Sequence, residues 1–472
     1  MKWSLIISLL VILVVLIGCT STPPTTSPTT PETSEPAASI TPTPAATESS
    51  TSTPTSTPTT PTDTTPPSAI TGLIANDAYD TRVNLWWDKS TATDFDHYNI
   101  YLNKTEMVDV TDMQSIQQIQ GIATCSYQVT GLEDGTNYYL AVTAVDKSGN
   151  EDTQVTSAIV TSSAMPGGTT DPELAVDVYQ PDKVWAGTTL LPLNYDSQRR
   201  RIVEVNMLGE IVWEYLVPQL GFIEAELLSN NNILYTVGHG TGIYEVDRSG
   251  KVVWSYMTSK VDHDADRLPN GNTLFVFGFE DQKSDAQVVE VNPKGEVVWE
   301  WYAKDHFDIP PYDSIYNEGW THTNAVTRLP NGNTLISLRN FNFIAEVDPQ
   351  GAVVRTIGED ILIEQHDPEI LPNGNILATS LPRGEPHSAV EIDPKTGRIV
   401  WEYLIPNRNN WPVRDANRLP NGNTIITGVA EIVEVTPQGE IVWRLRLQGV
   451  NWTTIEEAAN GFYKADRIST QQ

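Results

Sequence analysis

Cysteine is nearly absent from this chain: its 472 residues hold two, Cys19 and Cys125. A disulfide framework is therefore excluded as the source of stability, and the fold must rest on buried apolar surface. Basic residues are scarce too. Lys and Arg number 29 against 60 Asp and Glu, a formal net charge of −31, which speaks against nucleic acid and against an anionic membrane surface as partners. From Thr20 to Pro66 large apolar side chains all but vanish, and Thr, Pro, Ser, Ala and Glu fill the segment. Such a stretch cannot bury enough apolar surface to order itself, so residues 19–66 read as an extended tether.

The tether follows a leader. Lys2, an apolar run from Leu5 to Ile17 and the sequence Leu16-Ile17-Gly18-Cys19 read as a signal peptide over residues 1–18. A small residue before a cysteine at this point resembles a bacterial lipobox. Cys19 is then expected to carry a diacylglycerol, anchoring the protein to the membrane on its extracytoplasmic side, at the cell surface or in the periplasm. With Cys19 lipidated, Cys125 has no partner and is expected to be an ordinary buried residue.

Residues 67–165 read as a β-sandwich. Val83-Asn-Leu-Trp-Trp87 alternates, placing Val83, Leu85 and Trp87 on one face. Leu132-Glu-Asp-Gly-Thr-Asn-Tyr138, the run to Val145 and Asp146-Lys-Ser-Gly-Asn150 resemble a fibronectin type III domain. The resemblance makes Tyr138 the tyrosine of the corner motif and Trp87 the core tryptophan.

What the remaining chain has in abundance is repetition. Leu-Pro-Asn-Gly-Asn occurs at Leu268–Asn272, Leu329–Asn333, Leu371–Asn375 and Leu419–Asn423, with a degenerate copy at Leu228–Asn232. Each copy precedes an apolar run, and Asn-Gly between such runs signals a hairpin because both residues tolerate positive φ. A second turn signal recurs at Gly209, Gly250, Gly295, Gly351, Gly397 and Gly439, 41 to 56 residues apart. Trp213, Trp254, Trp299, Trp401 and Trp443 close the strands that follow, with Arg355 in the fourth unit. These tryptophans read as blade packing. Six turns and about four strands per unit predict an all-β fold, a six-bladed β-propeller over residues 175–472 preceded by the sandwich. The first unit lacks its inner strand, and Thr453 to Gly461 is expected to supply it and close the ring.

Five residues ahead of each repeated leucine stand Ile223, His263, Asn324, His366 and Arg414. Inner strands line a propeller's channel, so these side chains should ring the axis at one mouth. His322 lies two residues before Asn324 and is expected on the same strand face. His322 lies nine residues before Asn331 and Arg339 eight after it, so the two should pair near the far end of that hairpin. Asp264 and Asp367 are expected to point away from the mouth. Two or three histidines suit zinc, but Arg339 and Arg414 beside them would repel a cation, so no metal is expected. The set better fits an oxyanion attacked by a neutral imidazole, with Arg and His donors on its non-reacting oxygens.

Trp320-Thr-His322-Thr-Asn324, Ser337-Leu-Arg339 and Gln365-His366-Asp367, together with the repeated Leu-Pro-Asn-Gly-Asn, resemble the bacterial arylsulfate sulfotransferases over roughly residues 175–472. The resemblance implies a six-bladed propeller that uses no nucleotide sulfate donor and no cofactor, and moves a sulfuryl group between small phenolic substrates. It implies that His366 carries the group covalently and that His263, His322 and Arg339 bind and polarise it. Of the further slot residues, Asn324 and Arg414 are expected to help hold the substrate, and His322 is assigned the acid–base step. The insertion from Tyr302 to Gly319, rich in aromatics, is expected to roof the funnel and touch the aryl ring. Two other readings stand beside this one. Asp393-Pro-Lys-Thr-Gly-Arg-Ile-Val-Trp401 resembles a blade motif of pyrroloquinoline-quinone dehydrogenases, although the adjacent cysteine pair of that family is missing. A non-catalytic surface propeller that binds glycan or protein would suit the tether equally.

Overall fold

A computed structural model describes residues 63–472 except 195–199, 220, 222, 239–240, 383, 450–460 and 469–472. The leader, Cys19, nearly all of the tether and most of the segment Thr453 to Gly461 lie outside the described residues.

Alternation along Val83, Leu85 and Trp87 builds the first domain, because all three side chains enter one core with Tyr98, Ile100, Leu140 and Val142. Two antiparallel sheets, of three and four strands, enclose that core. Tyr138 reaches back five residues and accepts the Glu133 N–H at 3.0 Å, which is the tyrosine corner the sequence suggested. Cys125 is only half-buried.

The turn chemistry builds the propeller. In the copy at Leu268, the Leu268 N–H donates to Asn272 O and the Gly271 N–H to Leu268 O, both at 2.8 Å. Gly271 adopts φ 85°, a left-handed conformation that glycine accepts without steric cost. The last Asn of each copy then reaches across to a Glu on the third strand. Asn232, Asn272, Asn333, Asn375 and Asn423 bond Glu245, Glu290, Glu346, Glu391 and Glu434 at 2.6–2.7 Å. The repeated phrase therefore ties three strands of a blade together. Six blades follow: five sheets of four strands and one of five.

The same glutamates join the blades. Arg267, Arg328 and Arg418, each on the inner strand of the next blade, pair with Glu245, Glu290 and Glu391 at 2.8–3.0 Å. Each guanidinium also lies over a tryptophan of the preceding blade, Trp254, Trp299 or Trp401, at 4.3–5.4 Å. In the fourth blade Arg355 stands where the tryptophan would be, and its own guanidinium bonds Glu346 at 2.7 Å.

Ring closure uses the chain's end, as expected, but not the expected residues. The inner strand of the first blade is Asp466–Ile468, which pairs with Thr188–Leu190. The expected segment Thr453 to Gly461 lies outside the described residues but for Gly461, and the strand that pairs with Thr188–Leu190 starts five residues beyond it. Arg467 completes the same junction here, with Glu434 at 3.0 Å, Trp443 at 4.7 Å and the Trp443 Nε1–H on Met207 O at 2.9 Å. A fifth strand, Leu174–Tyr179, covers the outer edge of blade six. Beside it the sandwich docks: Arg82 donates to Pro181 O at 2.9 Å and to the Tyr179 hydroxyl at 2.8 Å.

The insertion between blades three and four is largely core. Phe307 is buried, and Tyr312 packs with it against Trp320, Phe341 and Phe343. These two rings fill a seam instead of roofing the mouth, and of the insertion's Tyr302, Phe307, Tyr312 and Tyr316 the last is the exposed one.

The closing junction should dominate propeller stability. Arg467→Met strands a fully buried Glu434, and breaking a buried pair from one side costs about 3–5 kcal/mol. Denaturant unfolding should show that loss in the propeller transition, whereas Arg355→Met should cost less, because its side chain is 40% exposed and Glu346 keeps its bond from Asn333.

Candidate active site

Five of the six inner strands deliver their slot residue by the repeat, and the sixth does so unannounced. Arg267, Arg328 and Arg418 each follow their slot residue by four positions, and Arg467 follows Tyr463 by the same interval. Tyr463 is thus the blade-one member of the ring, with Lys464 one step deeper. That spacing was the sequence signal available for both.

The predicted residues do come together. His322 Nε2 lies 3.2 Å from His263 Nε2, and Arg339 Nη1 lies 3.0 Å from His322 Nδ1. The Asn324 side-chain amide donates to Gln365 O at 2.9 Å, tying blade four to the residue before His366. The Arg414 guanidinium lies 4.6 Å over the Tyr463 ring, whose centroid is 6.3 Å from that of His366. His263, His322, Asn324 and His366 are all buried.

Two of these histidines sit on unusual backbone. His322 does not share a regular strand with Asn324: it precedes the strand Thr323–Arg328 with φ 47°. Left-handed backbone at a side chain other than Gly or Asn is costly and persists only where the surroundings enforce it. Here Asp281 enforces it, accepting the Thr321 and His322 N–H groups at 3.1 Å and the Thr321 hydroxyl at 2.9 Å. Gly278 backs the same turn, since a Cβ there would stand 2.0 Å from Thr323 O and 2.7 Å from the His322 carbonyl carbon. His366 begins a strand whose next residue, Asp367, has φ 45° and opens a register shift. Lys464 pins Asp367 at 2.9 Å, with both side chains buried. The left-handed step explains why Asp367 does not turn away from the channel as an even strand would have required. Asp264 also stays inside, accepting the Val326 N–H at 2.7 Å.

His366 Nδ1 lies 2.9 Å from Glu364 O, an acceptor, so this nitrogen carries the proton and Nε2 keeps its lone pair. Burial, then Arg339 and Arg414, hold His366 well below the usual imidazole range. Burial, Arg339 and His263 do the same to His322. Both are therefore neutral at pH 7. The mouth thus combines neutral imidazoles with two guanidiniums, and Arg414 Nη1 is buried without a hydrogen-bond partner among the described residues. One layer down the sign reverses: Lys464 is surrounded by Asp367, Asp415, Asp466 and Glu224, which hold it charged. Sequence reasoning also missed Asp262, whose Oδ1 lies 2.5 Å from His263 Nδ1.

These buried carboxyls predict a pH dependence of stability. Burial pushes Asp264, Asp281 and Glu369 up to about 7 and Asp466 up to about 8. Each binds a proton in the folded state that the unfolded chain has already released, so the stabilisation is complete below about pH 4 and is lost as pH rises through 7 to 8. His322 and His366 act oppositely, but only below the ordinary imidazole value of 6.5. Above neutrality the carboxyls alone decide the slope. The propeller's thermal midpoint should therefore fall from about pH 7 to about pH 8 and level off above it, and a flat or rising midpoint between about pH 7 and about pH 8 would show these groups ionised in the folded state.

Residues 188–365 match the arylsulfotransferase (ASST) family model, a span that includes His263, His322, Asn324 and Arg339 and ends one residue before His366. Residues 66–160 match fibronectin type III. No curated protein matches. Among solved structures, a protein of unknown function from Bacteroides caccae is 20% identical, with 55% of this chain and 94% of that one covered and a TM-score of 0.42. A virginiamycin B lyase from Staphylococcus aureus is 14% identical, with 57% and 87% covered and a TM-score of 0.37. Likenesses this distant carry no argument about chemistry. The chain thus carries a match to fibronectin type III over its sandwich and a match to the arylsulfotransferase family over blades one to four of its six-bladed propeller, apart from the strand Asp466–Ile468.

Proposed function

We propose that the propeller transfers a sulfuryl group from an aryl sulfate ester to a phenolic acceptor through a covalently sulfated His366, without a nucleotide sulfate donor. The observation that carries this reading is the state of His366. Its Nδ1–H is committed to Glu364 O, which leaves the lone pair on Nε2, and burial, then Arg339 and Arg414, keep it neutral. A neutral imidazole is the nucleophile such a step needs.

In the donor half-reaction His366 Nε2 bonds to sulfur while the sulfur–oxygen bond to the aryl group breaks. Arg339 and Arg414 face the three sulfuryl oxygens, where charge-assisted bonds are strongest, and Asn324 keeps Gln365 and hence His366 in register. The phenolate takes a proton from the His263–His322 pair. In the acceptor half-reaction a second phenol returns that proton, its oxygen bonds to sulfur, and the bond to Nε2 breaks. Protons and charge balance over the cycle.

Two experiments test the reading. Wild-type protein incubated with p-nitrophenyl sulfate alone should release p-nitrophenol and gain the mass of one sulfuryl group, and His366→Ala should do neither. Wild-type turnover by His366→Ala would remove the covalent step. As for place, we read Cys19 as lipid-bearing, so Cys19→Ser should move the protein from the membrane fraction to the soluble one; unchanged membrane association would contradict that reading.

A further inference from the structure

The two histidines that face each other need one proton between them, and the surrounding groups decide which ring carries the surplus. Asp262 lies one residue before His263 and is buried with it, the two side chains exposing 2% and 1%. Its carboxylate cannot swing away. Besides His263 Nδ1 at 2.5 Å it accepts the Gly278 N–H at 3.1 Å and the Phe279 N–H at 2.6 Å. Gly278 also presses on the His322 backbone so closely that no Cβ fits. One glycine therefore fixes both the carboxylate behind His263 and the backbone that carries His322.

A carboxylate at Nδ1 makes that nitrogen the donor and leaves His263 Nε2 as the working atom, 3.2 Å from His322 Nε2. His322 Nδ1 has two partners of opposite kind: Asn317 O, an acceptor, at 3.2 Å, and Arg339 Nη1, a donor, at 3.0 Å. Two proton arrangements follow, the second of which turns Arg339 Nη1 from His322 to Asn340 Oδ1 at 3.4 Å. In the first, Arg339 donates to His322 Nδ1, the His322 Nε2–H donates to His263, and both rings are neutral. In the second, His263 is an imidazolium that donates to His322 Nε2, while the His322 Nδ1–H turns to Asn317 O. His322 is neutral in both and changes only its tautomer.

We propose that Asp262 is a positioning residue that makes His263 the proton carrier of this pair, with His322 switching tautomer between Asn317 O and Arg339 as the proton comes and goes. The carboxylate supplies the counter-charge to the imidazolium and holds its ring in the working orientation. The inference rests on the sulfuryl transfer proposed above and shifts the acid–base charge from His322, where the sequence put it, to His263. On donor cleavage the pair passes one proton to the phenolate oxygen as the oxygen–sulfur bond breaks. The acceptor phenol later returns one, so the pair is unchanged over a cycle.

Leaving groups that differ in their need for a proton separate this role from a structural one. A phenolate needs the proton and a p-nitrophenolate hardly does. Asp262→Asn should lower turnover of phenyl sulfate by about 10²–10³-fold, within the range of general acid–base catalysis, and that of p-nitrophenyl sulfate by under about tenfold. The ratio of the two rates should therefore fall at least about tenfold. A folded Asp262→Asn protein in which both donors lose equally, keeping the ratio, would overturn the inference. If that variant does not fold, His263→Gln with Asp262 intact carries the test, because a glutamine holds no surplus proton: the ratio must fall, and an unchanged ratio again overturns the proposal. Failure of the wild-type protein to transfer a sulfuryl group would instead sink the proposed function.

Discussion

Lys464 is buried among Asp367, Asp415, Asp466, Glu224 and Asp264, and both the fold and the site hang on that ammonium. It belongs to the segment that closes the ring, three residues before Arg467 locks blade six to blade one. It also holds Asp367 in the left-handed conformation on which His366 is displayed. Ring closure and assembly of the candidate active site are therefore one event, because a chain that failed to insert this strand would lose the edge pairing, the counter-charge and the support for the nucleophile together. Removing a partner from a buried ion pair is costly for the same reason that forming it required a complete surrounding.

Charge is layered along the channel. A chain of net charge −31 builds a mouth of two guanidiniums and three imidazoles directly above a floor of carboxylates around one lysine. The layers are one residue apart on the inner strands, so alternation along the chain separates them, and the left-handed steps bend the strands where a regular pleat would have sent Asp367 outward. Burial keeps His322 and His366 neutral and raises the carboxyls below them. An anion entering the mouth meets donors and a free lone pair, and beneath them burial pushes the carboxyls around the charged Lys464 toward their protonated form.

Blade number, strand order and the slot were legible in the sequence because each rests on local chemistry. Asn-Gly turns fix hairpins, the last Asn of each copy fixes the third strand, and the spacing from His263, Asn324, His366 and Arg414 to the repeated leucine is covalent. The partnership of His322 with Arg339 followed from counting across one hairpin, and it holds at 3.0 Å. Other readings failed where the evidence was only an echo. The closing strand starts five residues beyond Ala459-Asn460-Gly461, and Phe307 and Tyr312 look like a roof until the seam they fill is seen. Tyr463 escaped because no Leu-Pro-Asn-Gly follows it, although Arg467 four residues on marks its register.

The sequence by itself determined the repeat, the all-β architecture and which side chains reach the mouth, since turn preference and register act over a few residues. The tertiary structure alone decided how those side chains meet. Asp281 under His322 and Lys464 under Asp367 are contacts between different blades, Asp262 is held behind its neighbour His263 by the N–H groups of Gly278 and Phe279 further along the chain, and no periodicity encodes them. They arise because six separately legible hairpins close on one axis, and that closure brings unlike charges into a space too small for water to screen them.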